Sequence, residues 1–318
     1  MHSADGVGEG PIQLQRAREI VAASPGVQPE RDASLVRVRH GVYAEGAAFE
    51  SLDREARYLA RIRAVHAVRS QPIFARESAL AVHGVPYGLE PEAVYTTGNA
   101  RTARKKGGVV HVPVELHPAD IVVVGDLAAC SLAFALADVA RRRGTLDAVS
   151  ALDWALRRGS VTKEEVLAAL ARQGKRGRAR AAAAIAFSDA ASESVGESWS
   201  RVRVFQLGFA MPELQVWVAG PSGRRYRVDM RWCVAGRRPV YGEFDGMQKY
   251  GELAHQAGST GAQALAKEKA RDDDLLFSGD PAHWVWADVQ QPSRLARILS
   301  AYGVPRVRAP IRDLSRDS

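Results

Sequence analysis

Cysteine is scarce in this sequence, which contains only Cys130 and Cys233 among its 318 residues. Small disulfide-dependent domains carry many more cysteines, and a zinc site built on thiolates needs several at close spacing. A disulfide framework and a cysteine-based zinc site are therefore excluded. Each cysteine lies in an apolar or strand-like stretch, which predicts that both are packing residues.

Long apolar runs are also missing. No stretch of about 18 apolar residues occurs, so the sequence predicts no transmembrane helix. The first residues, MHSADGVGEGP, have neither the basic segment nor the apolar segment of a secretory signal. We therefore expect a cytoplasmic protein with no membrane partner.

Acidic residues are outnumbered. The chain has 36 Asp and Glu against 44 Lys and Arg, which gives a formal charge of +8 and a pI of about 9.7. This excess favours a polyanionic partner such as nucleic acid. The composition, 46% hydrophobic and 25% charged, is typical of a globular protein with apolar cores.

The length suggests two or three domains, at about 100–200 residues each. The basic segment GKRGRAR, Gly174 to Arg180, marks the main boundary; it is either a solvated hinge or a segment that contacts phosphate. The predicted parts are a disordered lead (1–11), a winged-helix-like module (12–70), an α+β region (71–174), a basic linker (175–181), a second domain (182–304) and a tail (305–318).

The pattern of the first half mixes helices with short strands. The alternation and glycine of Leu35 to Tyr43 predict a hairpin or wing. The predicted helices are Ile12 to Ala23, Leu52 to Val68, Glu77 to Gly84, Leu127 to Arg141, Thr145 to Arg157 and one that begins near Ser160; the predicted strands are Ala93–Thr97, Val109–Val112 and Ile121–Val124.

The second half predicts an αβββαβ order, with hairpins at the turn signals PSG and AGRRP. Its elements are a helix from about Ala182 to Gln206, strands at Glu213–Ala219, Arg224–Trp232 and Pro239–Phe244, a helix at Ala262–Phe277, a strand at His283–Val289 and a helix at Ser293–Tyr302.

The second and third of these strands carry the acidic residues Asp229 and Glu243. Alternation predicts one apolar face in the first of them and the opposite, polar face for Asp229. The apolar face comprises Tyr226, Val228, Met230 and Trp232. In the next strand Glu243 and Asp245 share a face with Tyr241, so Asp229 and Glu243 converge if the two strands pair. A carboxylate in mid-strand is costly to bury without a cation, and hard oxygen ligands suit Mg²⁺ or Mn²⁺.

Four motifs of the second half resemble the very-short-patch-repair-like endonucleases of the PD-(D/E)xK superfamily. They are S-x-x-x-G-E-S-W-S-R at Ser192–Arg201, R-V-D at Arg227–Asp229, G-E-F-D-G-x-x-K-Y at Gly242–Tyr250 and E-K-x-R-D-D-x-L at Glu268–Leu275. The resemblance implies a restriction-endonuclease-like fold for 182–304. It also implies that Glu197, Asp229 and Glu243 are the ligands of a metal ion that assists the hydrolysis of DNA.

The chain departs from the family pattern at two positions. Val228 replaces the proline before the aspartate, and Asp245 replaces the lysine expected two residues after Glu243. We assign the missing positive charge to Lys249, with Lys267 and Lys269 as alternatives. The predicted catalytic set is therefore Glu197, Asp229, Glu243, Asp245 and Lys249.

Each of these residues also has an ordinary structural explanation. Glu197 could be an exposed helix residue, with Glu193 as the competing ligand on the same helix. Asp229 could pair with Arg227 or Arg231, and Asp245 with Gly246 could form only a turn. Outside this set, His83 is predicted to be a cap or packing residue, and Asp138 and Asp153 to be ion pairs or caps.

The first half resembles the AbiEi-type antitoxins of type IV toxin–antitoxin systems. The resemblance rests on V-R-V-R-H-G-V-Y at Val36–Tyr43, E-S-A-L-A-V-H-G-V-P at Glu77–Pro86 and A-D-V-A-R at Ala137–Arg141. It implies a winged-helix DNA-binding module and a cognate toxin or defence-system protein as a partner. The space between Ala23 and Leu35 is too short for a full recognition helix.

We therefore expect an α+β protein that cleaves DNA with Mg²⁺ or Mn²⁺. The alternative is a transcriptional regulator or antitoxin that binds DNA and keeps the nuclease fold only as a scaffold. The predicted DNA contacts are Arg37, Arg39, Lys175, Arg176 and Arg178, with solvated arginines on a packed hairpin as the plain alternative for the first two.

Overall fold

The computed structural model describes residues 12–86, 91–98, 103–234, 236–246, 261–312 and 314, without the side chains of 261–268. The chain divides into two compact units, residues 1–139 and 140–318. Both units contain helices and a sheet, so the predicted α+β class is confirmed. None of the described helices is long and apolar enough to cross a membrane. The predicted disordered lead lies outside the described residues.

The first unit opens with a small antiparallel sheet. Its strands are β1 (Gln15–Arg16), β2 (Leu35–Arg39) and β3 (Val42–Glu45), in the order β1–β3–β2, and the helices that follow in this part of the chain are α1 (Ala17–Ala23), α2 (Gly46–Ser51), α3 (Arg54–Val68) and α4 (Arg76–Val82). The predicted hairpin is confirmed, with Gly41 at a φ of 76° between β2 and β3. The helix predicted from Ile12 begins only at Ala17, because Gln15 and Arg16 pair with β3.

A six-stranded mixed sheet follows in the same unit. It comprises β4 (Ile73–Phe74), β5 (Val94–Thr97), β6 (Arg104–Lys106), β7 (Val109–His111), β8 (Ile121–Val124) and β9 (Leu127–Cys130), in the order β6–β7–β5–β4–β9–β8. The helix predicted over Leu127 to Arg141 is wrong at its start. β9 pairs with β8 across the turn at Gly125, and the helix α5 (Leu132–Arg142) begins after it.

Helices open the second unit. They are α6 (Thr145–Arg157), α7 (Lys163–Ala171), α8 (Arg178–Phe187) and α9 (Val195–Gln206). The capping start predicted near Ser160 is a capping box between Thr162 and Glu165. The single helix predicted from Ala182 to Gln206 is wrong, because Ser188 to Ser194 separate α8 from α9.

The second unit then forms a four-stranded sheet. Its remaining elements are β10 (Glu213–Ala219), β11 (Arg225–Trp232), β12 (Val240–Asp245), α10 (Gly261–Ser278), β13 (Asp280–Val285), α11 (Trp286–Gln290) and α12 (Pro292–Ala301). β10, β11 and β12 are antiparallel neighbours, and β13 lies parallel to β12. The predicted αβββαβ order is confirmed from α9 onward. The last strand ends at Val285, so the strand predicted to reach Val289 is too long.

Two apolar clusters flank this sheet. The larger cluster contains Trp199 of α9, Phe244 of β12 and Trp284 of β13, whose indole N–H donates to the Ser200 hydroxyl at 2.7 Å. The smaller cluster joins Tyr241 of β12 to Leu275 of α10. Helix α9 and helix α10 therefore cover different clusters. The cysteines differ as well: Cys130 is buried as predicted, whereas Cys233 is exposed, so its prediction as a packing residue is wrong.

Candidate active site

Glu197 is fixed in the first turn of α9. The hydroxyl of the N-cap Ser194 accepts the Glu197 backbone N–H at 3.1 Å. The Glu197 side chain is only 8% exposed, and its carboxylate accepts hydrogen bonds from the Glu193 backbone N–H and from Nε2 of Gln215, each at 2.9 Å. Glu197 is therefore a buried carboxylate and not an exposed helix residue.

Helix α9 packs closely on β12 next to Glu197. A Cβ atom built on Gly196 would lie 2.0 Å from the Phe244 ring, so only glycine allows the helix to come this near. Phe244 directly follows Glu243 in β12. The same contact therefore brings the first turn of α9 close to the strand that carries the second acidic residue.

Asp229 lies where the alternation of β11 breaks. Val228 is buried with Leu275, whereas Met230 is buried with Trp284 in the other cluster. The single apolar face predicted for this strand is therefore wrong, since its members divide between two clusters: Tyr226 and Val228 on one side, Met230 and Trp232 on the other.

The partner strand shows why the alternation breaks. The β10–β11 register places Gln215 opposite Asp229, and this pair is missing between Leu214↔Met230 and Val216↔Val228. Gln215 has a φ of 52°, a left-handed conformation that is unusual inside a strand. The Asp229 carboxylate accepts the Phe244 backbone N–H at 3.1 Å, a bond toward β12. The irregularity thus directs Asp229 to the strand that carries Glu243.

Glu243 meets a cation from α10. Its carboxylate accepts a hydrogen bond of 2.7 Å from Nη2 of Arg271, and the side chain of Glu243 is 9% exposed. Arg271 also donates to the Arg227 backbone carbonyl at 3.1 Å. Arg271 therefore spans β11 and β12 beside the acidic residues.

The three carboxylates influence one another. Burial, together with the charge of Asp229, raises the pKa of Glu197 to about 7. The same two causes raise the pKa of Glu243 to about 7, although Arg271 opposes the shift. Because Asp229 acts on both glutamates, it lies within electrostatic range of each.

Asp245 is held by a separate interaction. Its carboxylate lies 3.1 Å from Nδ1 of His283 in β13, and Nε2 of His283 lies 3.7 Å from a carboxylate oxygen of Asp272. The hydrogen bond to Asp245 raises the pKa of His283 despite partial burial. Asp245 therefore makes a side-chain contact with His283 and is not only a turn residue beside Gly246.

No model of a known protein family matches the chain. Two proteins of Mycobacterium tuberculosis are similar to it: the uncharacterized protein MT2308 of strain CDC 1551 / Oshkosh and the uncharacterized protein Rv2248 of strain ATCC 25618 / H37Rv. Each is 30% identical over 210 residues, which are 64% of this chain and 71% of the relative. The chain belongs to the same family as these two proteins. Because both relatives are uncharacterized, the function of this family member has to be argued from its own side chains.

In this member of the family, the carboxylates are engaged by protein donors. The part of the chain that the structure describes contains no group of three or more His, Cys, Asp or Glu side chains that could hold a metal ion. Arg271 contacts Glu243, and Gln215 contacts Glu197. A cation at this site would therefore have to displace some of these contacts.

Of the three lysines predicted as candidates for the missing positive charge, the structure describes the side chain of Lys269 alone. Lys249 lies outside the described residues, as does the side chain of Lys267. Lys269 on α10 is exposed. Arg271, two residues further on, contacts Glu243 of the set. Its position in the motif at Glu268–Leu275 was visible in the sequence, but its contact with Glu243 was not.

The competing acidic and basic residues around the site form their own pairs. Glu193, which precedes the N-cap of α9 and does not lie on the helix, contacts Arg157 at 2.8 Å and Arg227 at 2.5 Å. Arg231 contacts Glu213 at 2.5 Å. The arginines suggested as partners of Asp229 therefore both bind other carboxylates.

The residues expected to have structural roles include His83, at the C-cap of α4. Its Nε2 lies 2.9 Å from the Cys130 carbonyl, and burial lowers its pKa. Asp138 contacts Arg76 at 3.3 Å, and Asp153 contacts Arg201 at 2.8 Å in a buried pair. These three predictions are confirmed.

The predicted DNA contacts differ in exposure. Arg37 on β2 is exposed, whereas Arg39 is partly buried and donates to the Gly107 carbonyl at 2.8 Å. In the second unit Lys175 and Arg176 are exposed. Arg178 is half-buried and donates to the Ala171 carbonyl at 2.7 Å. Arg37, Lys175 and Arg176 are therefore the more accessible candidates for phosphate contact.

Proposed function

We propose that the second unit of this protein is a DNA endonuclease that depends on Mg²⁺ or Mn²⁺. The observation that carries the proposal is the position of Asp229, which raises the pKa of both Glu197 and Glu243 and accepts the backbone N–H of Phe244 beside Glu243, although the three carboxylates do not form a group that could hold a metal as they stand. The buried carboxylates of Glu197 and Glu243 are each repelled by Asp229 when all are ionised, and a divalent cation would relieve that repulsion.

The donor set fits a hard cation. Carboxylate oxygens are the ligands that Mg²⁺ takes in proteins, usually one or two of them with retained water and substrate phosphate. A cation held there supplies Lewis acidity toward a phosphodiester and makes a bound water more acidic. Glu197, Asp229 and Glu243 would be its ligands.

The protein's own groups would prepare the site for a phosphodiester. Gln215 and the Glu193 backbone N–H hold the Glu197 carboxylate in one orientation. Arg271 brings positive charge beside Glu243, where it favours an approaching phosphate. Lys249 is the proposed group that orients the nucleophile and stabilises charge on the phosphate.

A second candidate function is a DNA-binding regulator, or an antitoxin with a cognate toxin, in which the nuclease fold is a scaffold. One observation favours it: Arg271 already neutralises Glu243, while Asp245 occupies the position of the usual lysine. If Arg271 permanently occupies the position of a metal ion beside Glu243, the fold stays stable but the site has no metal with which to cleave DNA.

The two candidates are separated by incubating the purified chain with supercoiled and linear DNA in Mg²⁺, in Mn²⁺ and in chelator. The endonuclease nicks or linearises supercoiled DNA with either metal and is inactive with chelator. A scaffold binds the DNA and leaves it intact under all three conditions. Loss of cleavage in Asp229→Asn excludes a contaminating nuclease.

A further inference from the structure

A cavity in the second unit is lined by arginines. It has a volume of about 700 Å³ and is formed by Arg141 and Arg142 at the end of α5, by Arg176 and Gly177 before α8, and by Arg180 in the first turn of α8. Among the described residues, those that line it include no Asp or Glu. The charged residues that line the cavity are therefore all positive.

The cavity is built by specific backbone contacts. Nε of Arg141 donates to the Arg176 carbonyl at 3.2 Å, and Nη1 of Arg141 donates to the Gln173 side chain at 3.1 Å. Gly177 has a φ of 80°, and a Cβ atom at this position would lie 2.3 Å from the Arg141 carbonyl oxygen. Glycine is therefore required for the 173–177 turn to approach α5 this closely.

Arg180 adds a donor without a partner. One of its terminal nitrogens donates to the Arg141 carbonyl, which fixes the side chain. Its Nε is buried and has no hydrogen-bond partner among the described residues. A buried charged donor of this kind is costly unless a ligand or water satisfies it. Arg180 therefore lines the cavity with hydrogen-bonding capacity that the described protein groups do not use.

We propose that this cavity binds the phosphoryl group of a nucleotide, either free or at the end of a DNA strand. Guanidinium groups present planar pairs of N–H donors that match phosphate oxygens. An anion bound among several arginines also offsets the repulsion between their positive charges. The volume exceeds that of inorganic phosphate and falls in the range of small-ligand sites, which leaves room for a nucleoside. The proposal does not depend on catalysis by the carboxylates.

The test is isothermal titration of the full chain in chelator, which keeps any nuclease activity off. The ligands are inorganic phosphate, AMP, ATP and a short oligonucleotide with or without a 5′-phosphate. We compare the parent with Arg176→Gln, with Arg176→Gln/Arg180→Gln, and with Arg172→Gln as a control. Arg172 is exposed, lies four residues before Arg176, and is not part of the cavity lining.

We expect the double variant to weaken phosphorylated ligands by about tenfold or more, Arg176→Gln to weaken them less, and Arg172→Gln to have little effect. A preference for AMP or ATP assigns the cavity to a free nucleotide, and a preference for the 5′-phosphorylated strand assigns it to a strand end; either supports the site. The single Arg176→Gln variant and thermal unfolding show whether a loss comes from misfolding of the double variant.

Three results would overturn the proposal. The first is equal weakening by Arg172→Gln and Arg176→Gln, which would show a general charge effect. The second is a parent that binds no phosphorylated ligand at physiological salt, and the third is a folded double variant that binds these ligands as tightly as the parent.

Discussion

Arg271 donates a hydrogen bond of 2.7 Å to Glu243, which lies two residues before Asp245 in β12. The pair joins α10 to β12 at the edge of the carboxylate group. Arg271 also reaches the Arg227 carbonyl of β11, so one side chain holds two strands and one acidic residue. The Arg271–Glu243 ion pair distinguishes two interpretations of Glu197, Asp229 and Glu243. They bind a metal ion if the ion can displace Arg271, and they form only a protein ion-pair network if it cannot.

Removal of the Glu243 carboxylate tests the first reading. Because Glu243 is a proposed ligand, Glu243→Ala should abolish both metal binding and DNA cleavage. Glu213→Gln is the matched control, since Glu213 is an exposed carboxylate on β10 that pairs with Arg231. Plasmid nicking with Mg²⁺ measures the outcome, and nicking by Glu243→Ala at the parental rate would remove Glu243 from the site.

The identity of the basic group is tested by lysine variants. Lys249→Ala should lower cleavage by about 10²–10³-fold, the loss that follows removal of one preorganised charge-stabilising donor. Folding and metal binding should change little. Single-turnover cleavage rates compare it with Lys267→Ala and Lys269→Ala. A parental rate for Lys249→Ala with a loss in Lys269→Ala would move the role to α10.

The raised pKa values predict how stability depends on pH without metal. Glu197 has a pKa of about 7 in the folded chain against an ordinary value of 4.5. As pH rises from about 4.5 to 7, the unfolded chain ionises first, so the folded state loses stability over this window and recovers it as pH falls.

Glu197→Gln removes that cost at high pH. We expect the variant to be more stable than the parent at pH 8, by on the order of 2 kcal/mol or several degrees in Tm, and little changed at pH 4.5. Thermal unfolding at both pH values in chelator, with Glu213→Gln as the control, measures the difference. The same shift at both values would contradict a buried carboxylate with a raised pKa.

Much of this fold was predictable because its signals are local. The turn signals between the strands predicted the hairpins and the pairing of β11 with β12, whereas the regular alternation expected for β11 breaks at Asp229. The division of α8 from α9 was missed, although Ser194, three residues before Glu197, is the type of residue that begins a helix. A distant contact stabilises the break: the Asp189 backbone N–H donates to Asp153 at 2.7 Å.

The partners of the candidate site were harder to predict. Gln215 contacts Glu197 only because it takes a left-handed φ of 52° in a strand, a conformation that its residue type does not favour. Arg271 is 28 residues from Glu243, and several other basic residues of the same motif could have faced the site. Residue types therefore identified the acids, whereas only the three-dimensional packing identified what they contact.

DNA binding should be sensitive to salt. Exposed basic residues such as Arg37, Lys175 and Arg176 contact a polyanion by releasing its counterions, so we expect affinity to fall about tenfold or more between roughly 50 and 200 mM salt. Arg37→Gln should reduce the slope of log affinity against log salt by about one if Arg37 contacts phosphate. Fluorescence anisotropy in chelator measures the slope, and affinity that ignores salt would argue against a phosphate-led contact.

The central claim is that Glu197, Asp229 and Glu243 together hold one divalent ion. Its most direct test is a Mn²⁺ titration followed by electron paramagnetic resonance, in the parent, in Asp229→Asn and in Glu213→Gln. We predict one bound Mn²⁺ in the parent and in Glu213→Gln, and affinity at least about tenfold weaker in Asp229→Asn, because the central ligand is lost. A parent that binds no Mn²⁺, or an Asp229→Asn variant that binds it as the parent does, would contradict the claim.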